Sequence, residues 1–100
     1  MARAALKVRW TPLAADDLSS AHEFLVEQNR SAAGKLIDRI LTAIEVLGRF
    51  PEMGRPGRVE GTRELVVPPF IVAYRVTATD VQILSILQAA RKWPEKLPGK

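Results

Sequence analysis

The first quarter of the chain changes from a hydrophobic period of two to a helical period. Between Leu6 and Trp10, apolar residues alternate with cationic ones, which predicts a half-buried strand. Thr11 suits a helix N-cap and Pro12 suits the first helical position, so a helix is predicted to begin here. Its apolar positions share one arc: Ala14, Leu18, Ala21, Leu25 and Val26.

A second helix is predicted after a break at residues 29–31, with Ser31 placed to cap it. Its apolar arc contains Ala33, Ile37, Ile40, Leu41, Ile44 and Gly48. The two helices should therefore form a hairpin with one apolar side. Phe50 and Pro51 end the second helix, and residues 52–58 are rich in turn formers, which predicts a connecting loop.

The period of two returns after this loop and predicts strands over 63–67, 70–77 and 81–88. Their short links favour an antiparallel meander. The predicted fold class is α+β in the order β-α-α-β-β-β, with the helical hairpin packed on one face of a mainly antiparallel sheet. On the other face Ile71, Leu84 and Ile86 would form an exposed apolar patch, which indicates that a partner covers it.

Length and composition indicate one globular domain over residues 1–100, with a body at about 7–93 and a flexible basic C-terminal tail. Hydrophobic residues make up 47% of the chain, which is far from the composition of disorder. The absence of cysteine and the single histidine exclude disulfides, thiolate-ligated metals and multi-histidine metal sites, so no metal or cofactor is expected. No stretch has the length of a membrane span or of a signal-peptide core, so a cytoplasmic location is expected.

The net charge of +4, from 15 Lys and Arg against 11 Asp and Glu, favours acidic proteins or nucleic acid as partners. Three parts of the sequence are more specific. Residues 8–18 (VRWTPLAADDL) join a strand to an acidic helix start, and residues 51–58 (PEMGRPGR) form a loop rich in glycine and arginine. The strand segments 63–65 (REL), 71–76 (IVAYRV) and 83–87 (ILSIL) complete the pattern.

With the element order, these segments resemble the RelE/ParE superfamily of bacterial toxins from type II toxin–antitoxin systems. The loop is similar to the Pro-x-x-Gly-Arg-x-Gly loop of the ParE branch. That resemblance implies a toxin that inhibits DNA gyrase by binding it and is neutralised by a ParD-like antitoxin, which also represses their operon. The alternative that it implies is a RelE-like, ribosome-dependent mRNA endonuclease. A third possibility is a binding module that has lost its target and retains only the antitoxin.

The titratable residues favour binding over catalysis, and no catalytic residue is predicted. Where the family commonly shows His-x-Arg-Arg after the last strand, this chain has Gln88, which cannot transfer a proton near neutral pH. His22 falls within the apolar arc of the first helix, which predicts a structural histidine. Tyr74 shares the apolar face of its strand, which predicts a core ring.

Arg63 and Arg75 are the first candidates for target binding. Arg75 interrupts an apolar strand, where an unpaired guanidinium would be costly. Its partner is either an internal carboxylate, such as Glu64 or Asp80, or an anionic group of the target; the sequence leaves both open.

Two further groups of cations are candidates for target contact. Arg55 and Arg58 lie in the loop, as a solvated surface or as charges presented to a target. In the tail, Arg91, Lys92 and Trp93 combine two cations with an aromatic ring, which suits a protein–protein hot spot, although Trp93 could instead cap the core. An acidic antitoxin segment is expected to fold across the open face of the sheet and neutralise the arginines.

Overall fold

The computed structural model describes residues 5–89 and contains two helices and one five-stranded sheet in that range. The elements are β1 (Lys7–Trp10), α1 (Pro12–Gln28), α2 (Arg30–Leu47), β2 (Arg55–Pro56), β3 (Arg63–Val67), β4 (Phe70–Val76) and β5 (Asp80–Gln88). The sheet order is β1-β5-β4-β3-β2, with β1 parallel to β5 and the other pairs antiparallel. The α+β prediction is confirmed, and β2 is an additional short strand within the predicted loop.

Local capping sets the limits of both helices. The Thr11 side-chain oxygen accepts a hydrogen bond from the Ala14 backbone N–H (3.1 Å) and donates one to the Ile83 carbonyl (2.9 Å), so the start of α1 is fixed to β5. One residue, Asn29, ends α1 and caps α2, because its extended backbone lets its side chain accept a hydrogen bond from Ala32. The prediction that Ser31 caps α2 is wrong, because Ser31 already lies inside this helix.

The helical hairpin covers one face of the sheet and forms the core with it. Its buried members are Ala14, Ala21, Ile40, Ile44, Leu47, Val67, Phe70, Val72, Tyr74, Val81, Ile83 and Ile86. Tyr74 is a core ring, as predicted. His22 is exposed on α1, so its position in the predicted apolar arc does not make it a core residue. Neither helix of the described range is long and apolar enough to cross a membrane.

The predicted apolar patch on the second face of the sheet is not present. A register shift in the β4–β5 pair makes Leu84 an additional residue, because Ala73 pairs with Ser85 while Tyr74 pairs with Ile83. The shift turns Ile86 toward the helices, where it belongs to the core. Ile71 and Leu84 are themselves 4% and 0% exposed. These residues therefore give no argument for a partner.

Candidate functional site

Residues 51–58, here called the arginine loop, lie along the edge of β3 that faces away from β4, and they include β2. Within β2, Arg55 pairs with Glu64 and Pro56 pairs with Arg63. Three side chains of the sheet, from Arg63, Glu64 and Tyr74, contact the loop through hydrogen bonds. The loop is therefore anchored to two neighbouring strands, β3 and β4.

Glu64 anchors the two arginines of the loop. Its side chain is 3% exposed and accepts hydrogen bonds from Arg55 Nη2 (3.1 Å), Arg58 Nε (3.0 Å) and the Arg58 backbone N–H (3.0 Å). Burial opposes ionisation of the carboxyl group, but the bonds from Arg58 and Arg55 outweigh it, so the pKa of Glu64 lies below its ordinary value. Glu64 is therefore a carboxylate near neutral pH and holds two guanidinium groups side by side.

Tyr74 anchors the first turn of the arginine loop. Its hydroxyl accepts a hydrogen bond from the Gly54 backbone N–H (2.8 Å) and donates one to the Pro51 carbonyl (2.7 Å). Burial raises the pKa of Tyr74 above its ordinary value, even though the hydrogen bond from Gly54 acts in the other direction. The hydroxyl is therefore neutral, and its two hydrogen bonds are both made to the main chain of the loop.

Arg63, a predicted target-binding residue, directs its guanidinium group toward the same loop. Its Nη1 donates to the Gly54 carbonyl (2.7 Å) and to the Glu52 carbonyl (3.3 Å). The side chain is half-buried. Arg63 thus supplies a hydrogen-bond donor to two backbone carbonyls of the loop.

The two glycines of the arginine loop are required by close packing. A Cβ on Gly54 would lie 2.6 Å from the Tyr74 hydroxyl and 2.8 Å from the Glu64 carbonyl, and a Cβ on Gly57 would collide with Thr62. Positive φ does not explain these two glycines, since within residues 5–89 only Gly61 has it, at +81°. Both glycines let the loop approach the sheet.

Tyr74→Phe is expected to lower the free energy of unfolding by about 2 kcal/mol, because it leaves the buried Gly54 N–H and Pro51 carbonyl without their partner. Urea denaturation followed by circular dichroism measures this change. A loss below about 0.5 kcal/mol would show that water replaces the hydroxyl and that the loop is not anchored here.

Arg75 lies on the other face of the sheet from Arg63. Side chains alternate along a strand, and Arg63 pairs with Tyr74, so Arg75 points away from the face that Arg63 and Tyr74 share. Both carboxylates considered as its partners are bound by other arginines: Glu64 by the loop and Asp80 by Arg9 at 3.3 Å. The structure therefore does not bring the two strand arginines together.

The tail candidates Arg91, Lys92 and Trp93 lie outside the described residues, so their role in target binding stays a prediction.

Sequence reasoning missed two carboxylates with defined partners. From the sequence, Glu64 is named only as a possible partner of Arg75. Its position between Arg63 and Leu65 in an alternating strand already indicates that its side chain lies on the second face of the sheet. Asp17 accepts hydrogen bonds from the Ser85 hydroxyl (2.8 Å) and the Ile86 N–H (2.9 Å), which ties α1 to the irregular part of β5.

The titratable groups around the arginine loop have defined hydrogen-bond partners. Glu64 is held as a carboxylate by two guanidinium groups, and the Tyr74 hydroxyl is held neutral between two backbone groups. Gln88 ends β5 and lines a pocket with Asp17, Phe24 and Phe70. Arg55 and Arg58 keep 59% and 41% of their side chains exposed, so the loop can present charge to a partner without a change in its own structure.

Comparison with known proteins gives consistent matches over nearly the whole chain. Residues 8–93 match the family described as the ParE toxin of the type II toxin–antitoxin system parDE. The Sinorhizobium fredii protein named "Putative toxin Y4kP" is 38% identical over an alignment of 93 positions that covers 91% of this chain and 96% of that protein. "Toxin RelE2" of Caulobacter vibrioides is 33% identical over 85 residues, which are 85% of this chain and 97% of that protein.

Among solved structures, a chain of the "Chromosomal ParDE TA system from P. aeruginosa" has the same fold with a TM-score of 0.77 and 28% identity. The match covers 86% of this chain and 98% of that chain.

Proposed function

Since the chain belongs to the ParE toxin family of type II toxin–antitoxin systems, we propose that it inhibits DNA gyrase and is neutralised by a ParD-like antitoxin. The toxin acts by binding, in the cytoplasm where its proposed target works. Its function requires no metal, no cofactor and no proton transfer by its own side chains.

The observation that carries this proposal is the state of the groups around the arginine loop. Cleavage of RNA at this place would need a group that removes a proton from the 2′-hydroxyl and another that protonates the leaving oxygen. Glu64 is occupied by three hydrogen bonds and its lowered pKa makes it a weak base, while the Tyr74 hydroxyl already donates to Pro51. His22 lies on the exposed surface of α1, outside this site.

Two facts support an antitoxin partner. The similar solved structure is that of a ParDE system, and the net charge of +4 complements an acidic antitoxin. We propose that a disordered acidic segment of the antitoxin folds on the toxin and neutralises its exposed arginines.

The test is DNA supercoiling by purified gyrase with and without the purified toxin. We expect the toxin to abolish supercoiling, to accumulate cleaved plasmid, and to lose both effects when an equimolar cognate antitoxin is added. Heat-denatured toxin is the control. Supercoiling that proceeds at the normal rate with excess folded toxin would refute inhibition of gyrase.

The relative named RelE2 favours one alternative, a ribosome-dependent mRNA endonuclease. Primer extension on cellular messages after induction distinguishes the two functions. Discrete cuts in frame, with gyrase unaffected, would support the alternative, whereas intact messages with breaks in the chromosome would support the proposal. Normal growth during expression without antitoxin would indicate a module that has lost its target.

A further inference from the structure

Exposed apolar side chains are concentrated in and next to the arginine loop. Among the large hydrophobic side chains exposed within residues 5–89, Phe50 (61%), Met53 (48%) and Val59 (40%) lie in one short segment. Val66 (45%) follows on β3, the strand with which β2 pairs. Exposed apolar side chains that occur together, unlike single ones, mark an interaction site.

The same segment carries the two exposed loop arginines. Arg55 and Arg58 both bind Glu64, yet 59% and 41% of their side chains stay exposed, so the segment presents guanidinium groups as well as apolar side chains at the surface. Methionine, phenylalanine and arginine are enriched where proteins contact one another. Because Glu64, Tyr74 and Arg63 already hold the loop, a partner that binds here pays little of the entropy of ordering it.

We propose that five side chains form the surface by which this toxin contacts its target protein: Phe50, Met53, Arg55, Arg58 and Val59. This inference rests on the proposed function. The matching patch of the target carries carboxylates next to apolar side chains. A protein fits better than nucleic acid, because Met53 and Val59 offer a phosphodiester backbone no favourable contact but can pack against apolar side chains of a protein.

The test compares two double variants with the same change in net charge. Met53→Glu with Arg55→Ala alters the proposed surface and leaves both Arg58 bonds to Glu64 in place. Leu41→Glu with Arg39→Ala alters an exposed apolar residue and an exposed arginine of α2. We expect the first variant, here called the loop pair, to raise the toxin concentration needed for half-inhibition of gyrase by about tenfold or more. The second variant, the control pair, should raise it by less than about twofold.

Thermal denaturation of both variants separates lost contact from lost fold. Val59→Glu, at a second exposed position of the surface, is expected to weaken inhibition in the same way, so the result does not depend on the stability of one variant.

Three outcomes would overturn the inference in different ways. If the loop pair inhibits gyrase as well as the control pair does, the target contacts another surface, and the proposed function still stands. If the wild-type toxin does not inhibit gyrase, the proposed function fails and this surface loses its target with it. If the wild-type toxin binds a DNA duplex in the absence of gyrase and the loop pair does not, the surface contacts nucleic acid instead of protein.

Discussion

Gly54→Ala is expected to lower the free energy of unfolding by about 3 kcal/mol, because the added methyl group would overlap the Tyr74 hydroxyl and the Glu64 carbonyl. Both contacts belong to the parts of the sheet that anchor the arginine loop, and the carbonyl is backbone, so it cannot turn aside. The loop would have to move away from the sheet and give up the hydrogen bonds at Pro51 and Gly54. Chemical denaturation at pH 7 measures the change.

Gly34→Ala is the matched control, with the opposite expected sign. Gly34 lies within α2 and a Cβ there meets no atom within 4 Å. Alanine favours the helix, so this variant should gain roughly 1 kcal/mol of stability. If Gly54→Ala were as stable as the wild type, the loop could not be packed against Tyr74 as described.

Glu64→Gln is expected to cost about 2 kcal/mol of stability at pH 7, because a neutral amide keeps the shape of the side chain but loses its charge-assisted bonds to Arg55 and Arg58. Toxicity should fall further than the loss of stability explains, since the two guanidinium groups lose the carboxylate that positions them. Glu27→Gln, on the exposed surface of α1, is the control and should change neither property.

The pH dependence of Glu64 gives an independent check. Its pKa is lowered in the folded protein, so the ionised group contributes its full stabilisation above the glutamate pKa of the unfolded chain, about 4.3, and this contribution is lost as the pH falls through the lower folded value. The stability difference between the wild type and Glu64→Gln should therefore be constant from pH 7 to about 5 and shrink below about 4.3. A difference that stays the same down to pH 2.5 would rule out the carboxylate as its origin.

Much of the architecture could be predicted because its signals are local. The alternation from Leu6 to Trp10 gave the first strand, and the arcs of apolar positions gave both helices within a residue or two of their observed ends. The Thr11 cap was also predictable, since the cap and its N–H partner lie three residues apart. Asn29 was missed in favour of Ser31 because both types cap helices well and periodicity does not choose between near neighbours.

The candidate site was only partly predictable. The sequence marked Arg55, Arg58 and Arg63 as residues of interest but did not indicate their partners, which are Glu64 for the two loop arginines and backbone carbonyls for Arg63. Glu64 binds Arg55 directly across the β2–β3 pair, a pairing that depends on a two-residue strand with no periodicity of its own. The sequence shows that the loop contains glycines, but the close packing that requires Gly54 and Gly57 depends on side chains and backbone of the sheet.

The sequence by itself determined both helices, the four longer strands and their order, because hydrophobic period, capping and turn residues act over a few neighbouring positions. The family followed from the resemblance of its motifs. Only the tertiary structure decided which side chains meet. The additional residue Leu84 in β5 directs the Ile86 side chain into the core. The pairing of β2 with the edge of β3 brings Arg55 to Glu64. These results depend on the register between strands that are distant along the chain, and a shift of one residue in register exchanges the two faces of a strand.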